Sequence, residues 1–122
     1  MQGKIVVLVV EDESLVRMDI VSQLADEGFE VLEAENADRA LEMLDAHDSI
    51  SILFTDIDMP GSMDGLRLSA AVRKRWPPVK IVVTSGHRMV EITDLPDGSV
   101  FHAKPYRHAE VVGSFRDLTA GA

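Results

Sequence analysis

Charged and hydroxyl side chains follow four apolar segments of this sequence, each where the segment ends. In chain order, these ends are Glu11-Asp12, Asp56, Thr84-Ser85-Gly86 and Lys104-Pro105. Two carboxylates about 4 Å apart repel each other by about 4 kcal/mol at an effective dielectric constant of about 20. Three ionised carboxylates at one edge therefore need a cation, and hard oxygen ligands on an open edge suit Mg²⁺, which keeps several water ligands and accepts phosphate oxygens.

The lysine and the hydroxyl group extend this chemistry toward phosphoryl groups. An ammonium group is a mobile point charge with affinity for phosphoryl oxygens. Metal ion, lysine and hydroxyl together can spread the charge of a transferring phosphoryl group, and a carboxylate between them can be the nucleophile. The residue types therefore indicate phosphorylation of an aspartate.

Short apolar runs alternate with amphipathic segments, which predicts an α/β fold. Strands are expected at residues 4–10, 29–34, 50–55, 79–85 and 100–103. Helices are expected at residues 15–27, after an N-cap at Asn36, at 66–75 and at 109–118. The alternation indicates one doubly wound, five-stranded parallel sheet with helices on both faces. In such folds ligands bind beyond the carboxyl ends of the strands, where the charged residues stand.

Composition limits the possible functions of the chain. Its 122 residues predict one domain over residues 1–118 with a loose tail at 119–122. The absence of cysteine excludes disulfides and thiolate chemistry and favours a cytoplasmic location, and no apolar run approaches the length of about 18 residues that a membrane span needs. Acidic residues outnumber basic ones 21 to 12, a net charge of −9, which disfavours direct binding to nucleic acid. The four histidines lack metal-ligand spacing.

Four segments resemble the receiver domain of response regulators, the phosphoacceptor module of two-component signalling and phosphorelays. They are VVEDE at 9–13, ILFTDIDMPGSMDG at 52–65, IVVTSG at 81–86 and FHAKPY at 101–106. The resemblance covers essentially the whole chain and implies a flavodoxin-like sheet of strand order 2-1-3-4-5. It also implies Mg²⁺-dependent transfer of a phosphoryl group from a phosphohistidine, catalysed by the receiver on itself and followed by autodephosphorylation, and not turnover of a separate substrate.

The same resemblance assigns the phosphoacceptor and metal site to individual residues. Asp56 would accept the phosphoryl group. Glu11, Asp12, the Asp56 side chain and the backbone carbonyl of Asp58 would hold Mg²⁺. Lys104 would pair with Asp56 at rest and bind a phosphoryl oxygen afterwards.

A conformational switch and a set of partners are also implied. Thr84 would bind a second phosphoryl oxygen, and the ring of Phe101 would follow the threonine inward, so that phosphorylation shifts the population of two packings. The peptide bond at Lys104-Pro105 is expected to be cis. The implied partners are a sensor histidine kinase or a histidine phosphotransfer protein, and a downstream protein target.

The sequence departs from the usual receiver pattern in four places. Glu11 is one methylene longer than the aspartate commonly found there, and Asp58 adds a second acidic side chain two residues after the acceptor. Gly61 and Ser62 stand between Pro60 and Met63, where one residue is usual, so a slight bulge is expected there. Within residues 87–100, Pro96 and the Asp97-Gly98 pair leave room for at most about two turns of helix, so we expect a short or partly unwound helix.

Other functions are compatible with parts of the pattern. A pseudo-receiver would bind partners without being phosphorylated, although the acceptor, the acids and the lysine are all present. A haloacid-dehalogenase-type phosphatase would use Asp56-Ile57-Asp58 as its two-aspartate motif, but that motif needs threonine where Pro60 stands. The chain is expected to be either a free-standing receiver or a domain of a longer kinase or regulator.

Overall fold

The computed structural model describes residues 4–59, 64–86 and 95–120. The described residues form five strands and four helices. In chain order they are β1 (Val6–Val10), α1 (Ser14–Asp26), β2 (Glu30–Ala34), α2 (Ala37–Ala46), β3 (Ile50–Asp56), α3 (Gly65–Arg75), β4 (Lys80–Ser85), β5 (Val100–Ala103) and α4 (His108–Thr119). All five predicted strands are present, with ends that agree within two residues. Helix α4 reaches one residue into the predicted tail.

The strands form one parallel sheet of order β2-β1-β3-β4-β5, which confirms the predicted doubly wound fold. Apolar side chains from β1, β3 and β4 point alternately to the two faces of the sheet. On one face they pack against α2 and α3, and on the other against α1 and α4. Every residue of β1 is buried because helices cover both sides, which explains its unbroken run of valine and leucine.

Local signals fix where several helices begin and end. The side chain of Asn36 accepts a hydrogen bond from the Arg39 N–H at 2.8 Å, which confirms the predicted N-cap of α2. Asp64 caps α3 in the same way through the Arg67 N–H, at 2.9 Å. Gly28 follows α1 with φ of 96°, a conformation that favours glycine.

Hydrogen bonds continue beyond the strand ends and fix the backbone at the carboxyl edge of the sheet. The Glu11 N–H donates to the Ala34 carbonyl at 3.1 Å, and the Ile57 N–H donates to the Thr84 carbonyl at 2.8 Å. After β5, the Lys104 N–H donates to the Ser85 carbonyl at 3.0 Å. The loops that carry the predicted site residues therefore begin from fixed positions.

Two of the predicted departures fall partly or wholly outside the described residues. The expected bulge at Gly61 and Ser62 lies outside them, as does most of the segment for which a short helix was expected, residues 87–94. Of that segment, residues 95–99 are described and contain a turn. Its Ser99 N–H donates to the Pro96 carbonyl at 3.1 Å, and Gly98 has φ of 80°.

The remaining structural predictions concern one peptide bond and the membrane. The Lys104-Pro105 bond is cis, as expected. Among the described residues, no helix is long and apolar enough to cross a membrane.

Candidate functional site

The carboxyl ends of β1 and β3 bring together three carboxylates, which we call the acidic cluster: Glu11, Asp12 and Asp56. One ligand oxygen from each lies within 4.8 Å of the others. Glu11 and Asp56 are buried, at 4 % and 5 % exposure, whereas Asp12 is exposed and leaves the cluster open to solvent. Three hard oxygen donors with one open side are a donor set that fits Mg²⁺, which prefers carboxylates and retained water.

Lys104 reaches the acidic cluster from the far side of β4. Its Nζ lies 2.7 Å from Asp56 Oδ2 and 3.2 Å from Glu11 Oε1. Gly86 allows this path, because a Cβ atom at Gly86 would stand only 3.2 Å from the Cβ of the lysine. The structure thus brings together Asp12, Asp56 and Lys104, which are separated by up to 92 positions in the sequence.

Burial and neighbouring charges shift the pKa values of two of these groups. Burial raises the pKa of Glu11 to about 7, and the nearby Asp56 charge adds to this effect. The Glu13 N–H, at 3.2 Å from Glu11 Oε2, and the ammonium group oppose it. Burial alone lowers the pKa of Lys104, but its hydrogen bonds and charge contacts with Asp56 and Glu11 outweigh burial and raise that pKa above its ordinary value. The site therefore has a firmly charged cation and an excess of acid that a divalent ion would neutralise.

The backbone around Asp56 is held closely. Asp56 Oδ1 accepts a hydrogen bond from the Asp58 N–H at 2.9 Å, and the Gly65 N–H donates to the Ile57 carbonyl at 3.1 Å. A Cβ atom on Gly65 would lie 2.2 Å from the carbonyl oxygen of Asp56, so this position has no room for a side chain. The first residue of α3 thus packs directly on the main chain of Asp56.

Thr84 and Phe101, the predicted switch residues, lie on β4 and β5. Thr84 is the register partner of Asp56 across the β3–β4 pair, and it is 3 % exposed. Its Oγ1 has no hydrogen-bond partner among the described residues. A buried hydroxyl without a partner is unusual in a native protein, and Thr84 therefore needs an explanation. Phe101 is half-buried and packs against the face of the sheet that carries α2 and α3.

Several residues of the site were not identified as functional from sequence. Ser85 Oγ donates to Asp58 Oδ2 at 2.5 Å. Arg17 Nη1 donates to the Glu11 carbonyl at 2.7 Å, and its Nε pairs with Glu33 at 3.2 Å. Ser85 lay within a segment already singled out, but no spacing rule in the sequence indicated its partner, and Arg17 carried no signal.

A groove opens beside Lys104, between the start of α1 and the segment that leads into α4. Its volume is about 640 Å³, and its lining includes Val16, Gly86 and Tyr106. Asp19 Oδ2 lies 3.1 Å from His108 Nε2, and both residues line the groove. On the adjoining surface of α1, Leu15 and Met18 are exposed. The predicted phosphoacceptor thus lies next to an open surface.

Comparison with known proteins identifies the class to which this fold and site belong. The sequence model of the response regulator receiver domain matches residues 7–95, which is more than half of the chain. The chain belongs to this family, the receiver domains of two-component response regulators, and the predicted family is confirmed.

Individual relatives agree with this assignment. The chain is 40 % identical over 86 residues to an NtrX-like response regulator of Rickettsia bellii, over 70 % of this chain and 18 % of that protein. It is 38 % identical over 105 residues to the chemotaxis protein CheY1 of Helicobacter pylori, over 81 % of this chain and 84 % of that protein. A crystal structure of a response regulator receiver protein from Sinorhizobium medicae matches with a TM-score of 0.86 and 30 % identity, over 95 % of this chain and 94 % of that one. The chain spans less than a fifth of the length of its NtrX-like relatives.

Proposed function

We propose that this receiver domain accepts a phosphoryl group on the carboxylate of Asp56 from a phosphohistidine of a partner protein. The observation that carries the proposal is the position of this carboxylate. It lies in the acidic cluster and is paired with Lys104 at 2.7 Å, at the open edge of the sheet. A carboxylate next to a fixed cation and a cation site is placed to act as a nucleophile toward phosphorus.

Each side chain of the site would have its own role in the phosphoryl transfer. An oxygen of Asp56 attacks phosphorus, the bond from phosphorus to the histidine nitrogen breaks, and that nitrogen leaves with its electron pair. The ammonium group of Lys104 passes from the carboxylate to a phosphoryl oxygen, and the Thr84 hydroxyl donates to another. Hydrolysis of the resulting acyl phosphate returns the domain to its resting state.

Magnesium is the proposed cofactor. Glu11, Asp12, the Asp56 side chain and the backbone carbonyl of Asp58 would hold it. When bound, Mg²⁺ supplies positive charge that offsets the negative charge of the transferring group. Burial disfavours the charged form of Glu11, and a cation bound beside this carboxylate would favour that form again.

A sensor histidine kinase or a histidine phosphotransfer protein is the proposed phosphodonor, and the groove beside Lys104 is its proposed approach. The exposed Leu15 and Met18 offer apolar contact next to this opening. The altered packing of Thr84 and Phe101 would then change the binding of a downstream protein. The complete set of acceptor, acids and lysine does not favour the pseudo-receiver or phosphatase alternatives.

The test is phosphoryl incorporation from acetyl phosphate with Mg²⁺, followed by intact mass. The wild-type protein should gain one phosphoryl group, and Asp56→Asn should gain none. Asp58→Asn is the matched control, because it makes the same change two residues away and should still be phosphorylated. Incorporation that persists in Asp56→Asn, or its absence in the wild-type protein, would refute the proposal.

A further inference from the structure

Arg17, at the start of α1, connects the carboxyl ends of β1 and β2. Its Nη1 donates to the Glu11 carbonyl at 2.7 Å, and its Nε pairs with Glu33 Oε1 at 3.2 Å. Glu11 directly follows β1, and Glu33 lies on β2, the neighbouring strand. The arginine side chain is only 17 % exposed. Because a guanidinium group is planar and rigid, it holds its two acceptors in a fixed relative position.

The carbonyl that Arg17 contacts belongs to the peptide bond between Glu11 and Asp12. The N–H of Glu11 is also fixed, because it donates to the Ala34 carbonyl at 3.1 Å. A peptide unit is planar, so fixing its oxygen orients the whole plane and both of the Cα atoms that it joins. These two residues supply two of the three carboxylates of the acidic cluster. The hydrogen bond from Arg17 therefore acts on both acids that come from β1.

We propose that Arg17 is a positioning residue that orients the peptide between Glu11 and Asp12, so that both carboxylates can contact one divalent cation. This inference rests on the magnesium site of the proposed function. Positioning and charge have opposite consequences for this site. The positive charge of Arg17 repels a second cation and would weaken Mg²⁺ binding, whereas an outer partner that orients the ligands strengthens it. The sign of the change on removing Arg17 therefore distinguishes the two effects.

The experiment measures Mg²⁺ affinity without any phosphodonor, by amide chemical shifts in ¹⁵N-labelled protein. Arg17→Met keeps an unbranched side chain with good helix propensity but removes the charge and the donors. It should bind Mg²⁺ about tenfold more weakly than the wild-type protein, although it has lost a repelling charge. Arg39→Met is the matched control, because it removes the same charge from an exposed ion pair with Glu42 on α2. Its affinity for Mg²⁺ should stay within about twofold of wild type.

A second measurement, in metal-free protein, tests the contact itself. When the Glu11 carbonyl loses its donor, the carbonyl ¹³C resonance of Glu11 and the amide ¹⁵N resonance of Asp12 should both shift. Arg17→Met should show these shifts, and Arg39→Met should not. If Arg17→Met does not fold, Arg17→Lys takes its place. One ammonium group cannot hold the Glu11 carbonyl and the Glu33 carboxylate in the same fixed geometry, so this variant should also bind Mg²⁺ more weakly.

Several results would overturn the inference. Unchanged or tighter Mg²⁺ binding in the variant without the guanidinium group would do so, as would weaker binding without shifts of the two resonances. A wild-type protein that does not bind Mg²⁺ would also overturn it.

This inference and the proposed function can fail separately. Equal Mg²⁺ affinity in Arg17→Met and the wild-type protein refutes only the role of Arg17. Failure of the wild-type protein to take up a phosphoryl group on Asp56 refutes the proposed function instead.

Discussion

Replacing Thr84 by valine tests whether the Thr84 hydroxyl lacks a hydrogen-bond partner in the resting protein and gains one only from a phosphoryl group. The Thr84 side chain is 3 % exposed, and its Oγ1 has no hydrogen-bond partner among the described residues. Valine has nearly the same shape and no hydroxyl. A buried polar group left unsatisfied costs about 1–3 kcal/mol, so Thr84→Val should raise the free energy of unfolding of the resting protein by about 1–2 kcal/mol.

In the phosphorylated state, Thr84→Val should instead lower the free energy of unfolding. There the hydroxyl would donate to a charged phosphoryl oxygen, and hydrogen bonds to charged groups contribute about 1.5–3 kcal/mol. Beryllium fluoride with Mg²⁺ mimics a phosphoryl group on a carboxylate and permits equilibrium measurements. Beryllium fluoride should therefore stabilise the wild-type protein more than it stabilises Thr84→Val.

Urea unfolding with and without beryllium fluoride measures both effects, and Thr55→Val is the matched control. Thr55 is also buried, at 1 % exposure, but its hydroxyl already donates to the Asp56 carbonyl at 3.1 Å. Its replacement should lower stability by about 1 kcal/mol in both states. A resting Thr84→Val protein that is less stable than wild type would refute the idea of an unsatisfied hydroxyl. An undiminished response to beryllium fluoride would refute its role in binding a phosphoryl oxygen.

Two further predictions concern titration and backbone packing. Burial raises the pKa of Glu11 from 4.5 to about 7. The folded protein therefore binds more protons than the unfolded chain between these values, and its stability in EDTA should fall as the pH rises from 4.5 to about 7. Glu11→Gln should flatten this part of the curve of unfolding free energy against pH, and an equally steep fall would contradict the assignment. Gly65→Ala should lower stability by about 1–3 kcal/mol, because the new Cβ would stand 2.2 Å from the Asp56 carbonyl oxygen. Gly113→Ala, in α4 with no atom within 4 Å of its Cβ, should instead raise stability by about 0.5–1 kcal/mol, and equal effects in thermal unfolding would count against the packing argument.

The main site could be predicted because parallel topology alone brings its parts together. An apolar run covered on both faces indicates a central strand, and all the strands of a parallel sheet end at the same edge. Once the strands were placed, Asp56, Asp12 and Lys104 had to lie near that edge, whatever their separation in sequence. The N-cap of α2 at Asn36 was predictable for a similar reason, because capping depends on residues only three positions apart.

The remaining features depend on distances between elements, which local patterns do not encode. Gly65 is needed because α3 begins against the backbone of Asp56, and only the packing of the helix on the sheet reveals this. The bond from Ser85 to Asp58 joins residues 27 positions apart. In the sequence Arg17 is an ordinary charged residue of α1, yet in the structure its guanidinium group donates a hydrogen bond to the Glu11 carbonyl. Each of these contacts requires three-dimensional placement before its chemistry can be inferred.

Two features of the resting site would change if Asp56 carried a phosphoryl group and a divalent cation were bound beside it. The ammonium group of Lys104 is shared between two carboxylates, Asp56 and Glu11, so the acidic cluster keeps an excess of negative charge. The hydroxyl of Thr84 is buried beside them without a partner among the described residues. A phosphoryl group on Asp56, with a divalent cation, would give the lysine and the hydroxyl oxygen acceptors and would offset the excess charge. Because the same phosphoryl group would accept hydrogen bonds from the Lys104 ammonium and the Thr84 hydroxyl, the effects of these two groups on stability should be coupled. Through this coupling, modification of one carboxylate would shift the packing of β4 and β5.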